Sequence, residues 1–388
     1  MTKIRLIVGL LVMVTFWIDA SNAIQIDAEI SGVETKVRII PLVADRFRIH
    51  WNNRGVLESS ASPHGPWVEE SKRASGIETI RNVSAEGEYF RVTQAEEVFT
   101  REPAVLHIPD SYDASKEYML IIGLHYFTYR SKTSLEPLEF LEQTVPLLHL
   151  VDDKQFLYLT PQAIFDSNSV RGAGWAWNAT EQCCVFDQKK RMFFDDEGYL
   201  LSVLGNVVTN FSVDLDRVSL VGGSNGGLMA MQMLCQYSEL FAAGVALSSY
   251  GWSNPADCVP SEPVHVLRID GSNDEEGIYS GGVSFSGFSK NGQSIPFETA
   301  GSLKELENWA NRLGCSEIGD WQIGAYDLDS RFGAPDTDII RYRNCRAEVE
   351  HWRINSGSHW ISPIYEDGRF TDLPEAIFSW LEAHPKAR

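Results

Sequence analysis

A serine set among four glycines, in the run Gly222-Gly223-Ser224-Asn225-Gly226-Gly227, is the residue of this chain best suited to nucleophilic attack. A hydroxyl is a weak nucleophile at neutral pH. It needs a base beside it, an acid to orient that base, and donors for the charge that develops on the attacked group. Small neighbours are what a sharp strand-to-helix bend requires, because the bend brings backbone and helix close together and lifts the hydroxyl clear. The context fits: Val218-Ser219-Leu220-Val221 is strand-like, and a helical pattern begins near Gly226. The first N–H groups of that helix and the positive end of its dipole would lie beside the nucleophile. A purely structural Gly-Ser turn is the alternative, and the flanking strand and helix weigh against it.

In chains built around such a bend, the acid and then the histidine follow the serine. The strand-like run Val264 to Ile269 leads into Asp270-Gly271-Ser272-Asn273-Asp274-Glu275-Glu276. Asp274 is the preferred orienting acid, with Asp270 and Glu275 as local rivals and a solvated loop carboxylate as the plain alternative. Of the nine histidines, His265 and His351 fall in strand-like runs, His384 lies near the C-terminus, and all others but one precede Ser224. His359 remains, in the loop Asn355 to Trp360 after Val349 to Ile354. The expected oxyanion donors are the backbone N–H groups of Asn225 and Tyr126, the latter just after the run that ends Gly123-Leu124-His125.

These groups converge only if the elements carrying them share one sheet. Val105 to Ile108, Tyr118 to His125, Gln155 to Thr160, Val218 to Val221, Gly244 to Leu247 and Val264 to Ile269 read as strands. Helical patterns follow at Gly198 to Asn210, Gly226 to Tyr237, Ser302 to Leu313 and Pro374 to Ala383. Strands alternating with helices predict an α/β fold with a mostly parallel sheet, here of the α/β-hydrolase type over 97–388. Residues 24–96 differ: short β-branched and aromatic runs between turn residues predict a small β-sandwich. That segment resembles the fibronectin- or immunoglobulin-like modules appended to bacterial extracellular enzymes. Residues 1–23, a charged start and an apolar stretch ending Ser21-Asn22-Ala23, read as a cleaved signal peptide, so the chain is expected to be secreted.

A net charge of −20 argues against nucleic acid as a partner and disfavours anionic membrane surfaces, and no second stretch is apolar enough to cross a bilayer. All six cysteines lie beyond residue 180, at Cys183, Cys184, Cys235, Cys258, Cys315 and Cys345. In an exported chain they are expected to form disulfides. Adjacent Cys183 and Cys184 are poorly placed to bridge each other, so their partners are expected elsewhere, with Cys315 to Cys345 as the third bridge. The spacings of a zinc site are missing, and the chemistry calls for no metal and no organic cofactor.

The run Asp216 to Gly227, with Cys235 and Phe241-Ala242-Ala243, resembles the secreted esterases grouped with polyhydroxybutyrate depolymerases, acetylxylan esterases and feruloyl esterases. So do Gly271 to Asp274 with Tyr279 to Gly282, Trp309 to Cys315, Gly357 to Trp360, and Trp175-Ala176-Trp177-Asn178 with Cys183-Cys184. The resemblance implies Ser224, Asp274 and His359 as a triad and an ester, polymeric or small, as the substrate. His125-Tyr126 replaces the His-Gly of many members and is similar to the acetylxylan and feruloyl branch. Trp175 and Trp360 are expected at the substrate cleft, with core burial as the alternative. Two rival readings remain: a prolyl-oligopeptidase-like peptidase, whose elbow Gly222 to Leu228 also resembles, and a hydrolase-fold binding protein without activity.

Overall fold

In a computed structural model, the described residues are 104–129, 136–166, 174–180, 196–252, 255–277, 279–284, 289–290, 293–294 and 297–387, together with strands within residues 2–94. The chain divides into two compact units, Met1–Thr100 with Asp187–Asn206, and Arg101–Phe186 with Val207–Arg388. In the first, the strands Val33–Pro41, Arg46–Trp51 and Gly76–Arg81 pair antiparallel in a four-stranded sheet begun by Ile24–Ile30. Glu88–Gln94 belongs to a second sheet and pairs with Gly55–Ser60. The apolar run read as a leader forms two further strands, Thr2–Val8 and Val12–Ile18, and its β-branched residues suit that state.

The second unit is organised by one sheet. Its strands are β1 (Val105–His107), β2 (Tyr118–Leu124), β3 (Leu157–Thr160), β4 (Val213–Gly223), β5 (Ala243–Leu247), β6 (His265–Gly271), β7 (Glu317–Ile318), β8 (Gln322–Tyr326), β9 (Thr337–Arg343) and β10 (Val349–Ile354). The order is β1-β3-β2-β4-β5-β6-β10-β9-β7, with β8 also on β9. From β3 to β10 the neighbours are parallel. β1 is antiparallel to β3, and β9 to β10. All seven residues of β2 and all five of β5 are buried, which is why these strands read as unbroken apolar runs.

Helices α1 (Pro137–Thr144), α3 (Asn225–Gln236), α4 (Ser302–Arg312) and α5 (Leu373–Ala383) cover both faces, while α2 (Asp196–Asn210) belongs mostly to the first unit. One core layer takes alternate residues of each strand, Met119 and Ile121, Val245 and Leu247, Leu267 and Ile269, Trp352 and Ile354, beneath Leu141 of α1 and Ile377 and Leu381 of α5. Each such side chain stabilises by roughly 1.5–3 kcal/mol. α3 lies on the other face, where Gly244 of β5 lets Leu234 approach so closely that a Cβ would stand 2.2 Å from it.

The chain runs from β2 outward to β3 and then returns to β4 on β2's other side, so the direction of winding reverses between β2 and β4. A crevice opens beyond the C-terminal ends of strands at such a point. This is the α/β-hydrolase fold. Patterns in the sequence mark β1 to β6, β10 and four helices but not α1, β7, β8 or β9, and β4 begins at Val213 rather than Val218 because a mostly polar stretch extends it. Beyond Asp274, Gly282–Ser284 pairs with Phe297–Thr299. The glycines at either end of this excursion, Gly281 and Gly301, lie back to back with φ of 80° and 85°, and a Cβ at Gly301 would stand 2.4 Å from the Gly281 nitrogen.

Cys315 pairs with Cys345 as expected, whereas Cys235 pairs with Cys258, so neither is the partner anticipated for Cys183 or Cys184, which lie outside the described residues. The Cys235–Cys258 bridge joins the end of α3 to the loop after β5. Replacing Cys315 and Cys345 by serine opens a loop of sequence separation 30 and is expected to lower the unfolding free energy by about 3 kcal/mol. A urea midpoint unchanged from the parent would contradict this.

Candidate active site

Four strand ends supply the site: β2 leads to His125-Tyr126, β4 to Ser224, β6 to Asp274 and β10 to His359. Ser224 occupies the N-cap of α3 with φ 50° and ψ −115°, a conformation costing about 1–3 kcal/mol unless the surroundings enforce it. They do. Its N–H donates to the Leu247 carbonyl at 2.8 Å, and its carbonyl accepts from the Ser249 hydroxyl at 3.2 Å. A serine at an N-cap ordinarily turns its hydroxyl onto the helix. Here the side chain makes no capping bond and points to His359 instead, with Oγ 2.9 Å from Nε2.

The other face of the imidazole meets Asp274, whose Oδ2 and Oδ1 are 2.9 and 3.2 Å from Nδ1. Asp274 is itself fixed, Oδ1 accepting the N–H groups of Gly277 at 2.7 Å and Glu276 at 2.9 Å. Ser224, His359 and Asp274 are 4%, 3% and 5% exposed, so the chain of hydrogen bonds works in a medium that strengthens it. Nδ1 donates to the carboxylate, which leaves the lone pair of Nε2 free to take the serine proton. The Glu276 carboxylate stands 4.0 Å from Nε2 at the more open side.

The rival acids go elsewhere. Glu275 is exposed. Asp270 is buried against Arg268 at 3.1 Å and lies 3.5 Å from Nδ1 of His351; burial pushes its carboxyl up, with Arg268 opposing. His351 is held neutral, its pKa lowered to about 3 chiefly by burial. It lies within β10, as its strand-like setting indicates.

Close packing explains the glycines. A Cβ at Gly226 would stand 2.1 Å from the Leu124 carbonyl oxygen, and one at Gly223 only 1.8 Å from the Tyr126 ring. His125 ties the β2 loop: its Nδ1 donates to the Tyr126 carbonyl at 2.6 Å, while Nε2 accepts the Ala163 N–H at 3.0 Å. Those two contacts fix one neutral tautomer, and burial lowers the His125 pKa to about 4. The His125 carbonyl accepts from the Trp177 indole at 3.0 Å. Across the same planar trans peptide, the Tyr126 N–H therefore points away from Trp177. Asn225 heads α3, where the first-turn N–H groups lack helical partners, and its side chain exchanges two hydrogen bonds with the Trp177 backbone, at 2.6 and 2.9 Å.

Trp360 is 36% exposed and stacks on Tyr126 at 5.4 Å, with Phe140 of α1 edge-on at 5.6 Å. Trp175, on the short strand Gly174–Ala176, packs its ring on Phe165 instead. No motif in the sequence marks the Trp177–Asn225 exchange, the hydrogen bonds of His125 or the place of Phe140. The Trp-Ala-Trp-Asn segment was the available signal, but which tryptophan turns toward the nucleophile is decided by contacts 48 residues apart.

A sequence model of the prolyl oligopeptidase family matches residues 172–285, a span holding Ser224 and Asp274. Feruloyl esterase B of Piromyces equi is 25% identical over 192 residues, 48% of this chain and 31% of that protein. The probable feruloyl esterase C of Aspergillus terreus is 27% identical over 187 residues, 47% of this chain and 58% of that one. The chain thus matches less than two thirds of either relative's length. Among solved structures, an acetyl xylan esterase from Aspergillus awamori superposes with a TM-score of 0.44 at 13% identity, over 72% of this chain and 93% of that chain.

Gly223→Ala is expected to destabilise by roughly 1–3 kcal/mol, the usual cost of overpacking, and to displace Tyr126. Gly205→Ala in α2, where a Cβ meets nothing within 4 Å, serves as the benign control, and equal melting temperatures for the two would refute the packing argument. His125 binds its proton more weakly folded than unfolded, so its contribution to stability is complete above the unfolded pKa near 6.5 and is lost as pH falls toward about 4. The loss amounts to about 3 kcal/mol. His125→Gln should flatten that acid limb, and an unchanged slope of stability against pH would count against the assignment.

Proposed function

We propose that this chain is a serine esterase that cleaves carboxylic esters through an acyl-enzyme on Ser224. The observation carrying the proposal is the pair of 2.9 Å contacts made by His359, one to Ser224 Oγ and one to Asp274 Oδ2. In the first step Nε2 of His359 takes the hydroxyl proton as Oγ bonds to the ester carbonyl carbon. The oxyanion is stabilised by the N–H groups of Asn225 and Tyr126, each such donor typically contributing about 3 kcal/mol. Collapse expels the alcohol, which receives the proton from the imidazolium, and water repeats the sequence on the acyl-enzyme. Asp274 orients the ring and stabilises its charged form without taking the proton.

Feruloyl esterase relatives support an ester of a plant-cell-wall polymer as the substrate. The aromatic surface of Trp360 and Phe140 beside His359 supports an acyl group larger than acetyl. The two disulfides support export. A peptidase is the second reading, favoured by the family match over residues 172–285. Its substrate would be an amide, and the same three residues would serve.

Ser224→Ala removes only a hydroxyl and is expected to abolish p-nitrophenyl acetate turnover and labelling by a fluorophosphonate, with an almost unchanged thermal transition. Product release from acetylated xylan, feruloylated arabinoxylan and polyhydroxybutyrate, set beside a proline p-nitroanilide, ranks the substrates. Turnover persisting in the variant, or amide cleavage outrunning every ester, would overturn the proposal.

A further inference from the structure

The histidine loop is held by two unrelated sets of contacts. Its first half is stitched to the acid loop: Ser272 N–H donates to the Ile354 carbonyl at 2.9 Å, Asn273 N–H to that of Gly357 at 2.8 Å, and Ser356 N–H to the Ser272 hydroxyl at 2.9 Å. The second half, on which His359 sits, is met by Arg331 from the turn between β8 and β9. Nη1 of Arg331 donates to the Ser358 hydroxyl at 3.3 Å, and Nη2 donates to the Trp360 carbonyl. One guanidinium thus holds the residues on either side of His359.

That guanidinium is aimed from behind. Asp329, its side chain fully buried, accepts from Nε at 2.8 Å and from Nη2 at 2.5 Å. Asp329 is fixed in turn by Asp336 at the foot of β9, whose carboxylate accepts the N–H groups of Leu328 and Asp329 at 3.0 and 2.9 Å. A line of contacts therefore runs from the antiparallel edge of the sheet through Asp336, Asp329 and Arg331 to both neighbours of His359.

We propose that the Asp329–Arg331 pair is a positioning device for the base, keeping the imidazole within reach of Ser224 and Asp274 together. This rests on the reading of His359 as the base. Guanidinium suits the task because its planar fork engages a carboxylate with one edge and other acceptors with the remaining N–H groups, which an ammonium cannot do with the same geometry. A displacement of about 1 Å at a reacting group can reduce rate about a hundredfold. The β8–β9 hairpin is in this view part of the catalytic apparatus, although neither residue touches substrate.

Steady-state kinetics on p-nitrophenyl acetate test the inference, with Arg331→Ala, Arg331→Lys, and Arg369→Ala as control, the last removing an exposed arginine paired with Asp367. Arg331→Ala is expected to lower kcat about 10- to 100-fold with KM within about threefold of the parent. Because Arg331 is 40% exposed, free guanidinium at tens of millimolar is expected to restore part of the lost kcat, and sodium chloride at equal ionic strength to restore none. Arg331→Lys is expected to fold and remain impaired. A kcat for either Arg331 variant within twofold of the parent, or a loss that guanidinium does not relieve, overturns the inference. No turnover by the parent chain at all would instead sink the esterase reading, and this inference with it.

Discussion

The backbone of β2 and the first turn of α3 pass so close that no side chain fits between them, and the site hangs on that contact. With the Leu124 carbonyl oxygen 2.1 Å from where a Cβ of Gly226 would lie, α3 can enter only along one line. That line sets Ser224 at the helix head in a left-handed conformation. It also brings the loop after β2 against the elbow, so that the Tyr126 ring occupies the space a side chain at position 223 would need. Ser224 and the loop carrying Tyr126 are therefore placed by one packing event. The strain at Ser224 is supported by partners on β5 and just beyond it, Leu247 and Ser249, so three neighbouring strand ends share the cost.

Two buried polar systems flank this contact and do different work. Around β2, His125, Trp177 and Asn225 satisfy one another without any net charge, each ring nitrogen or amide matched to a backbone group. Beyond β5, Arg268 and Asp270 form an ion pair whose guanidinium also holds the Ser249 carbonyl at 2.5 Å. The two aspartates at the end of β6 are thereby separated in role: Asp270 faces a cation inside the domain, and Asp274, three residues past the strand, faces the histidine. Asp270 is turned to Arg268 and His351, and Asp274, on the loop beyond the strand, is the carboxylate that meets His359.

Strongly periodic or uniformly apolar elements were legible in the sequence because burial on both faces leaves a plain signature, as in Tyr118-Met119-Leu120-Ile121-Ile122. The glycine-flanked serine was legible for a related reason, since so few residue types tolerate the bend. Legibility failed where an element's state depends on distant partners. β8 and β9 carry Gln322, Ile323, Arg341 and Arg343 exposed and gain strand character by pairing, β9 on β10 and β8 on β9. No motif or periodicity marks Arg331; its meaning comes from Ser358 and Trp360, well over twenty residues on. Trp175 and Trp177 are indistinguishable in composition, and only the fold decides that the second faces Asn225.

The excursion between Gly281 and Gly301 begins and ends at a single doorway. The carbonyl of Tyr279 accepts the N–H of Ser302 at 2.9 Å across that doorway, so the sheet beneath is indifferent to how much polypeptide lies beyond it. Lengthening a closed loop is inexpensive, with each doubling adding only about 0.6 kcal/mol of closure entropy. The doorway opens a few residues past Asp274. Descent with modification could therefore exchange this segment for longer or shorter versions and reshape what approaches Ser224, Asp274 and His359, while leaving the scaffold that aligns them untouched.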